Sequence, residues 1–511
     1  MTRTSRQQLI RGHLLGWWMV LISPTLTAAA TVYYVDAGHP LAADANTGTR
    51  AEPWRTIQHA LDRLQPGETV YIRDGVYAEG LQTVRSGDLE SGPVTVAAFP
   101  GHRPVVDGTG VATAATGFTI RHDHIHVQGL VIRHWDTGIW LEGAGHTRLD
   151  DCEVHQAAFG IGAADGTHDF ELNRVIIHHF DLYGFDASPS GGAPCYYGTL
   201  NDCLAHTGRD PEQNVDGFAL GHGTQYGFVL NRCRTWGVFD GFDISARGTR
   251  LERCVAHDCT WGGFKIWQDD VRLVNCLAHD NQVVNVELDW DEEPGVVRLI
   301  NCTLVDGATW NVYAENAGDT LQLANCLLAG GDNIGLLLTE HVAAGTYAGD
   351  FNLFHCGNSA RVIVDNYEFE FSGEDIAAGL WHTYSGQDGH SATAATVVEI
   401  FSGGTATNFR PGPGSPAVDA GTADGAPPRD MDGRRRAQGA AVDIGCFEYH
   451  APPGRWGDAD GDGYVTSFDR LNLARFLAGN MARLTDAAAA DIDADGRVSL
   501  PDLIRLHDRL R

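Results

Sequence analysis

Lysine is all but absent from this 511-residue chain: Lys265 is the only one, and the other 35 basic side chains are arginine. Arginine keeps its proton in a protein, whereas lysine gives its proton up where the surroundings disfavour charge. Amine chemistry in this chain therefore rests on one position. Positive charge is scarce altogether, with 36 basic against 66 acidic residues and a net charge of −30. That argues against nucleic acid and anionic membrane as partners, since both attract basic surfaces. An acidic polymer stays within reach if a cation stands between it and the protein. Past residue 30 no apolar run approaches the roughly 20 residues that cross a bilayer. The repeating part of the chain offers no amphipathic helices of ten or more residues, which argues against a helical solenoid.

Eleven cysteines are present, but they lack the look of a disulfide framework. Cys233, Cys254, Cys276, Cys302 and Cys326 recur at intervals of 21, 22, 26 and 24, each closing a Leu-x-x-Cys phrase, and Cys152 and Cys203 close the same phrase earlier. So regular a period predicts stacked, reduced thiols acting as small buried apolar groups.

The first 30 residues read as an export signal: Arg3, Arg6 and Arg11, an apolar Leu14 to Ile22, then Ala28-Ala29-Ala30. Its removal lowers the charge from −30 by three, to −33. The expected product is secreted or periplasmic, and a monomer.

What the chain has in abundance is glycine, 62 in all, and internal repetition. A Gly-Φ-x-Φ phrase runs through Gly138-Ile139-Trp140-Leu141, Gly160-Ile161-Gly162-Ala163 and Gly184-Phe185-Asp186-Ala187. It continues through Gly217-Phe218-Ala219-Leu220, Gly241-Phe242-Asp243-Ile244 and Gly263-Phe264-Lys265-Ile266. Asn285-Val286-Glu287-Leu288, Asn311-Val312-Tyr313-Ala314 and Gly335-Leu336-Leu337-Leu338 complete it. Short strands at this spacing, with turns between them, predict an all-β fold, a right-handed parallel β-helix. Residues 31–450 form that domain. Its entry, 31–80, contains strands near Tyr34 and Tyr71 and a short helix near Ile57 that caps the open end. A closing segment spans 410–450, and Arg434-Arg435-Arg436 within it reads as a solvated turn.

Strand alternation turns Phe and the last residue of each phrase inward and the third residue outward. The outward column is then Asp186, Ala219, Asp243, Lys265, Glu287, Tyr313, with Asp216 and Asp240 beside it. Close carboxylates repel unless a cation joins them, and an oxygen-only set suits calcium. An amine beside such a cation is biased towards its neutral form and can act as a base. That pairing suits β-elimination from a uronate, with calcium meeting the substrate carboxylate and Lys265 taking the proton. Glu287, Trp267 and Arg247 are candidates for substrate contact. His257-Asp258 and His279-Asp280 read as turn hydrogen bonds.

Asn214-Val215-Asp216-Gly217-Phe218-Ala219, Asp240-Gly241-Phe242-Asp243 and Gly263-Phe264-Lys265 resemble the conserved blocks of polysaccharide lyase family 9, which includes pectate lyases. The resemblance implies a parallel β-helix, Lys265 as Brønsted base, and Asp216, Asp240 and Asp243 as calcium ligands. Where the family has a pair of acids this chain has Phe239-Asp240, one carboxylate fewer.

After Ala451-Pro452-Pro453-Gly454, a linker over 451–456, the composition shifts. Asp458, Asp460, Asp462, Tyr464, Thr466 and Asp469 fall at positions 1, 3, 5, 7, 9 and 12 of a calcium loop, and Asp491, Asp493, Asp495, Arg497, Ser499 and Asp502 repeat the set. The position-7 residues, Tyr464 and Arg497, offer backbone carbonyls. Helices are expected over Leu471–Leu477 and Leu503–Leu510. Paired loops with Asp at position 12 resemble a type I dockerin over 457–511, a small α-helical module. That resemblance implies calcium and a cohesin-like partner.

Two other functions fit the same sequence. One is a non-catalytic glycan-binding or structural β-helix anchored through its C-terminal module. The other is a hydrolase or epimerase on the same scaffold, although a glycosidase needs two carboxyls of different pKa and no lysine.

Overall fold

The computed structural model describes residues 31–112, 115–187, 192–221, 224–288, 295–330, 334–356, 361–401, 409–412 and 414–449. In the C-terminal module it describes 459, 465, 467–478, 484, 490, 492 and 498–510. The expected export signal (1–30), the linker and nine of the twelve proposed calcium-loop residues lie outside the described residues. The nine are Asp458, Asp460, Asp462, Tyr464, Thr466, Asp491, Asp493, Asp495 and Arg497.

Most coils of the solenoid are built from short strands separated by bends, while three early ones carry longer strands, Val131–Glu142, Glu153–Ala164 and Ile176–Asp186. In the coil carrying Lys265 the short strands are Gly262–Ile266, Val271–Val274 and Leu277–His279. Each pairs in parallel with its equivalent one coil on: Phe264 with Val286, Leu273 with Leu299, Leu277 with Thr303. The middle strands build a sheet of 13 strands. The first strands hold one register, from Ile139 through Ile161, Phe185, Phe218, Phe242, Phe264, Val286 and Val312 to Leu336. The chain is the parallel β-helix expected from the repeat.

Packing explains the phrase. Phe218, Phe242 and Phe264 are fully buried and stack on one another, with ring centroids 5.1 and 4.8 Å apart and planes within 8°. Burying each ring contributes about 1.5–3 kcal/mol. Glycine precedes them because the next coil comes too close for a side chain. A Cβ on Gly241 would lie 2.6 Å from the Gly263 carbonyl oxygen and 2.8 Å from Thr235 Cγ2.

Leu-x-x-Cys is a corner. The residue before the cysteine is left-handed in every copy: Asp151, Asp202, Arg232, Arg253, Asn275, Asn301 and Asn325, with φ between 51° and 56°. Asp and Asn tolerate that conformation well. The following thiols are buried and reduced, and each donates to a carbonyl of the preceding coil, Cys152 to that of Val127 and the other six to a leucine, as Cys254 does to Leu230 at 3.3 Å and Cys326 to Leu299 at 3.3 Å. His257 and His279 bond the next residue's carboxylate, at 2.6 and 2.7 Å, as expected, and also stack 4.8 Å apart.

At the entry, strand Val32–Val35 pairs with Thr69–Ile72, and the short helix Ile57–Leu61 buries Ile57, Ala60 and Leu61 against the first coil. At the far end, strand Phe369–Phe371 pairs antiparallel with Ile363–Asp365, and the helices Gly373–Ala377 and Leu380–Ser385 follow. The closing segment instead lies along the flank of the stack. Asn275 donates to the Arg429 carbonyl (2.7 Å), Asn301 to that of Asp443 (3.0 Å) and Asn325 to that of Thr422 (2.9 Å). The three corner asparagines thus form a strip that receives this segment.

The arginine run departs from expectation here. Arg436 is not solvated: its side chain is 2% exposed and pairs with the buried Glu448 at 2.7 Å. It also donates to Asn275 Oδ1 (2.6 Å) and the Gly445 carbonyl (2.9 Å). The run looks polar in sequence, yet its third member is the pin that holds segment to stack.

In the C-terminal module, helices Ser467–Leu477 and Leu500–Arg509 share a small core with Ala459, Leu484 and Ile492. Both begin earlier than the apolar pattern suggests, because the end of each loop is already helical. Ser499 and Asp502 form a reciprocal N-terminal cap, and Asp502 also accepts from Ile492 N–H at 2.7 Å. Among the described residues no helix is long and apolar enough to cross a membrane.

Removing one partner of a buried ion pair strands the other, at about 3–5 kcal/mol. Arg436→Ala is therefore expected to lower stability by that amount in urea unfolding, while Arg435→Ala, which is exposed, changes it by no more than about 0.5 kcal/mol. Equal effects from the two variants would contradict the pinning role.

Candidate active site

Parallel pairing brings the outward third residues of the phrase into one line. Asp186 pairs with Ala219, Ala219 with Asp243, Asp243 with Lys265, Lys265 with Glu287, and Glu287 with Tyr313. The neighbouring column begins with Tyr183 beside Asp216 and continues past Asp240 to Gly262, Val284 and Trp310. Asp240 holds its place through backbone bonds, accepting from Gly217 N–H at 2.9 Å.

This face is more enclosed than simple alternation predicts. Asp216 and Asp240 are fully buried, and Asp186, Ala219 and Glu287 nearly so, while Asp243 and Lys265 are half-exposed. Buried carboxylates thus lie beneath the surface of the face on which the half-exposed Asp243 and Lys265 stand side by side.

Asp216 Oδ1 accepts from Asp240 N–H at 3.3 Å, and Asp240 Oδ1 from Gly262 N–H at 3.0 Å. The second oxygen of each, Asp216 Oδ2 and Asp240 Oδ2, is buried with no hydrogen-bond partner. Burial and then the charge of Asp243 push Asp216 up to about 8, against the pull of the Asp240 N–H and Lys265. Burial and then Asp216 and Asp243 likewise hold Asp240 well above the carboxylate range. Two orphaned oxygens on a crowded, all-oxygen floor are what a hard dication would satisfy, so the residues present fit calcium.

Around Lys265 the surroundings are aromatic. Its Nζ lies 4.4 Å from the ring centre of Trp267. Trp261 donates from Nε1 to Glu287 Oε2 at 2.9 Å. Phe239 stacks on Trp261, with centroids 5.8 Å apart and planes at 15°. The position where a second acid would stand thus carries a ring that braces the tryptophan orienting Glu287.

Arg247 sits on the bend beyond the face, exposed and paired with Asp269 at 3.2 Å. Arg272 pairs with Asp270 at 2.9 Å, and Arg234 lines a separate cavity of about 430 Å³ under the closing segment. In the C-terminal module only Asp469, Ser499 and Asp502 of the proposed ligands are described, and both aspartates are fully buried.

Two contributors escaped the sequence reading. Trp310 stacks on Tyr313, centroids 4.9 Å apart, directly beyond Glu287. Trp310 occupies the same register position as Asp216, so the repeat did carry a signal for it. Tyr367, whose hydroxyl donates to that of Tyr313 at 3.1 Å, comes from beyond the last coil, and no periodic signal marks it.

The sequence profile described as Pel9A-like, right handed beta helix region matches residues 33–314, and that of type I dockerin domains matches residues 456–511. Pectate lyase PEL9 of Emericella nidulans is 26% identical over 237 residues, spanning 45% of this chain and 52% of that protein. Pectate lyase L of Paenibacillus polymyxa (strain SC2) is 25% identical over 304 residues, spanning 54% of this chain and 63% of that protein. The chain thus covers less than two thirds of the length of these curated relatives. The crystal structure of pectate lyase Pel9A aligns with a TM-score of 0.47 and 16% identity, covering 83% of this chain and 98% of that one.

The raised Asp216 has a consequence for stability. Between its ordinary value near 4 and about 8, the unfolded chain has lost a proton that the folded chain keeps. Calcium-free stability is therefore expected to fall as pH rises through that window. Melting temperatures measured in chelator from pH 5 to pH 8 should decline for the wild type and decline less for Asp216→Asn. A wild-type melting temperature that is flat or rises across the window would contradict the buried, protonated state.

Proposed function

This chain belongs to the Pel9A-like right-handed β-helix family and carries a C-terminal type I dockerin domain. From that premise we propose that it is a secreted, calcium-dependent lyase that cleaves an acidic, uronate-containing polysaccharide of the pectate kind. The observation that carries the reading is the placement of the chain's one lysine. Lys265 sits in register between Asp243 and Glu287, over a floor where Asp216 and Asp240 each have an unpartnered oxygen. The names of the curated relatives support the reaction class.

Asp216, Asp240 and Asp243 would hold the ion, with Asp186 next in line on the same column as a further oxygen. Calcium, when bound, supplies the positive charge that balances this floor, draws in the substrate carboxylate and acidifies the adjacent C5–H. Lys265 Nζ removes the C5 proton. The C5–H electron pair becomes the C4=C5 double bond, and the C4–O4 bond breaks with its electron pair passing to O4, which takes a proton from solvent water as the leaving chain departs. Trp267 covers one side of the amine and limits water around it. Trp310 and Tyr313 lie further along the cleft, where aromatic faces suit the apolar side of a sugar ring.

The dockerin would tether the enzyme to a cohesin-like domain outside the cell. Its two helices flank a cavity of about 520 Å³ lined by Arg470, Leu471, Ala474, Leu503, Ile504 and His507, and Leu471, Leu500 and Ile504 are exposed.

The test is the ultraviolet absorbance of unsaturated uronide, followed on a panel of acidic polysaccharides with and without chelator. Lys265→Ala is expected to lose at least about a hundredfold in kcat, the usual worth of a general base. Trp310→Ala is expected to raise KM and leave kcat nearly unchanged. No unsaturated product on any uronate would sink the lyase reading, and activity retained in Lys265→Ala would remove the assigned base.

A further inference from the structure

Four coils before Lys265, on the bend that follows the outward strands, the solenoid carries a column of rings. Tyr196 and Tyr226 lie in register with His168, and Gly145 holds the same place one coil earlier. The rings run parallel along most of this column. His168 lies on Tyr196 at 5.0 Å and 5°, Tyr196 on Tyr226 at 5.2 Å and 4°, and His124 on His146 at 4.6 Å and 13°. At one step the stacking breaks. His146 and His168 meet at 85°, with centroids 5.7 Å apart.

The break has a local cause. Glycine, not histidine, occupies the register place opposite His168, and a Cβ on Gly145 would lie 2.6 Å from the His168 ring. His146 follows one residue later in a left-handed conformation, φ 54°, and approaches from the side. Asp169 adds a carboxylate, with Oδ2 3.0 Å from His168 Nδ1. One donor atom from each of His146, His168 and Asp169 lies within 4.8 Å of the other two. Each imidazole is braced on its far side by a parallel ring, His124 for one and Tyr196 for the other.

We propose that His146, His168 and Asp169 form a second metal site, selective for a borderline divalent transition ion of the zinc class. Two imidazoles and one carboxylate suit zinc, nickel or copper and do not suit calcium, which takes oxygen ligands. Zinc–ligand distances of about 2.0 Å place tetrahedral ligand atoms roughly 3.3 Å apart. His146 and Asp169 are exposed and need only small rotations to close the present gap. Four coils at the ~4.8 Å strand spacing separate this site from Lys265 by about 19 Å along the axis, so its ion would be distinct from the central one. Bound there, the ion would tie two consecutive coils together.

The full-length protein, saturated with calcium to fill its oxygen sites, is titrated with zinc chloride in a calorimeter. One equivalent is expected to bind with a dissociation constant in the micromolar range. His146→Ala and His168→Ala should each weaken it at least tenfold, and Asp169→Asn should weaken it less. His257→Ala, in the other histidine column, should leave it unchanged. Zinc-free melting curves matching the wild type establish that each variant folds. Absence of saturable zinc uptake would overturn the proposal, as would uptake that survives both histidine substitutions undiminished.

Discussion

Consecutive coils of this protein are held one strand spacing apart by continuous parallel pairing, and nearly everything else follows from that spacing. A residue type repeated at one place in the coil becomes a column of side chains in contact. Phenylalanines become the stacked core of Phe218, Phe242 and Phe264. Cysteines become a line of buried thiols, each bonded to a carbonyl of the coil before. The same rule that builds the core builds the cleft, where the changing third residue of the phrase sets unlike chemical groups side by side.

That geometry leaves the acids little room. Asp216 and Asp240 stand in adjacent coils, both buried, and neither can move away from the other without breaking the pairing. The fold therefore accepts carboxyls held well above their usual range, with oxygens left unpartnered. Such unsatisfied polar groups destabilise a fold and persist where function needs them. Under the proposed function the tension has a purpose, since a cation and an anionic sugar together would relieve it. Phe239 fits the same picture. It supplies no oxygen, yet through Trp261 it fixes the direction of Glu287.

The flank shows the solenoid serving as a docking strip for its own chain. Corner residues before the cysteines are Asp or Arg in the earlier coils and Asn in the coils of Cys276, Cys302 and Cys326. All can adopt the left-handed corner, but only the amide both donates and accepts without charge. The change to Asn therefore marks the coils where the closing segment lies down, with Arg436 buried as its pin.

The repeat by itself determined the parallel β-helix, the inward phenylalanines, the reduced thiols and the outward column from Asp186 to Tyr313. Each depends on periodicity, and periodicity is a property of the sequence. The paired Asp-rich loops likewise marked the dockerin, because their chemistry is local. Only the tertiary structure decided what depends on contacts far apart in the chain. It buried Arg436 against Glu448 and Asn275, the latter 161 residues away. It brought Tyr367 back to Tyr313 and set the burial that raises Asp216. It also turned two histidines perpendicular where a glycine left space. Arginine and histidine read alike in sequence whether solvated or packed, since burial belongs to the neighbours a residue acquires and not to the residue.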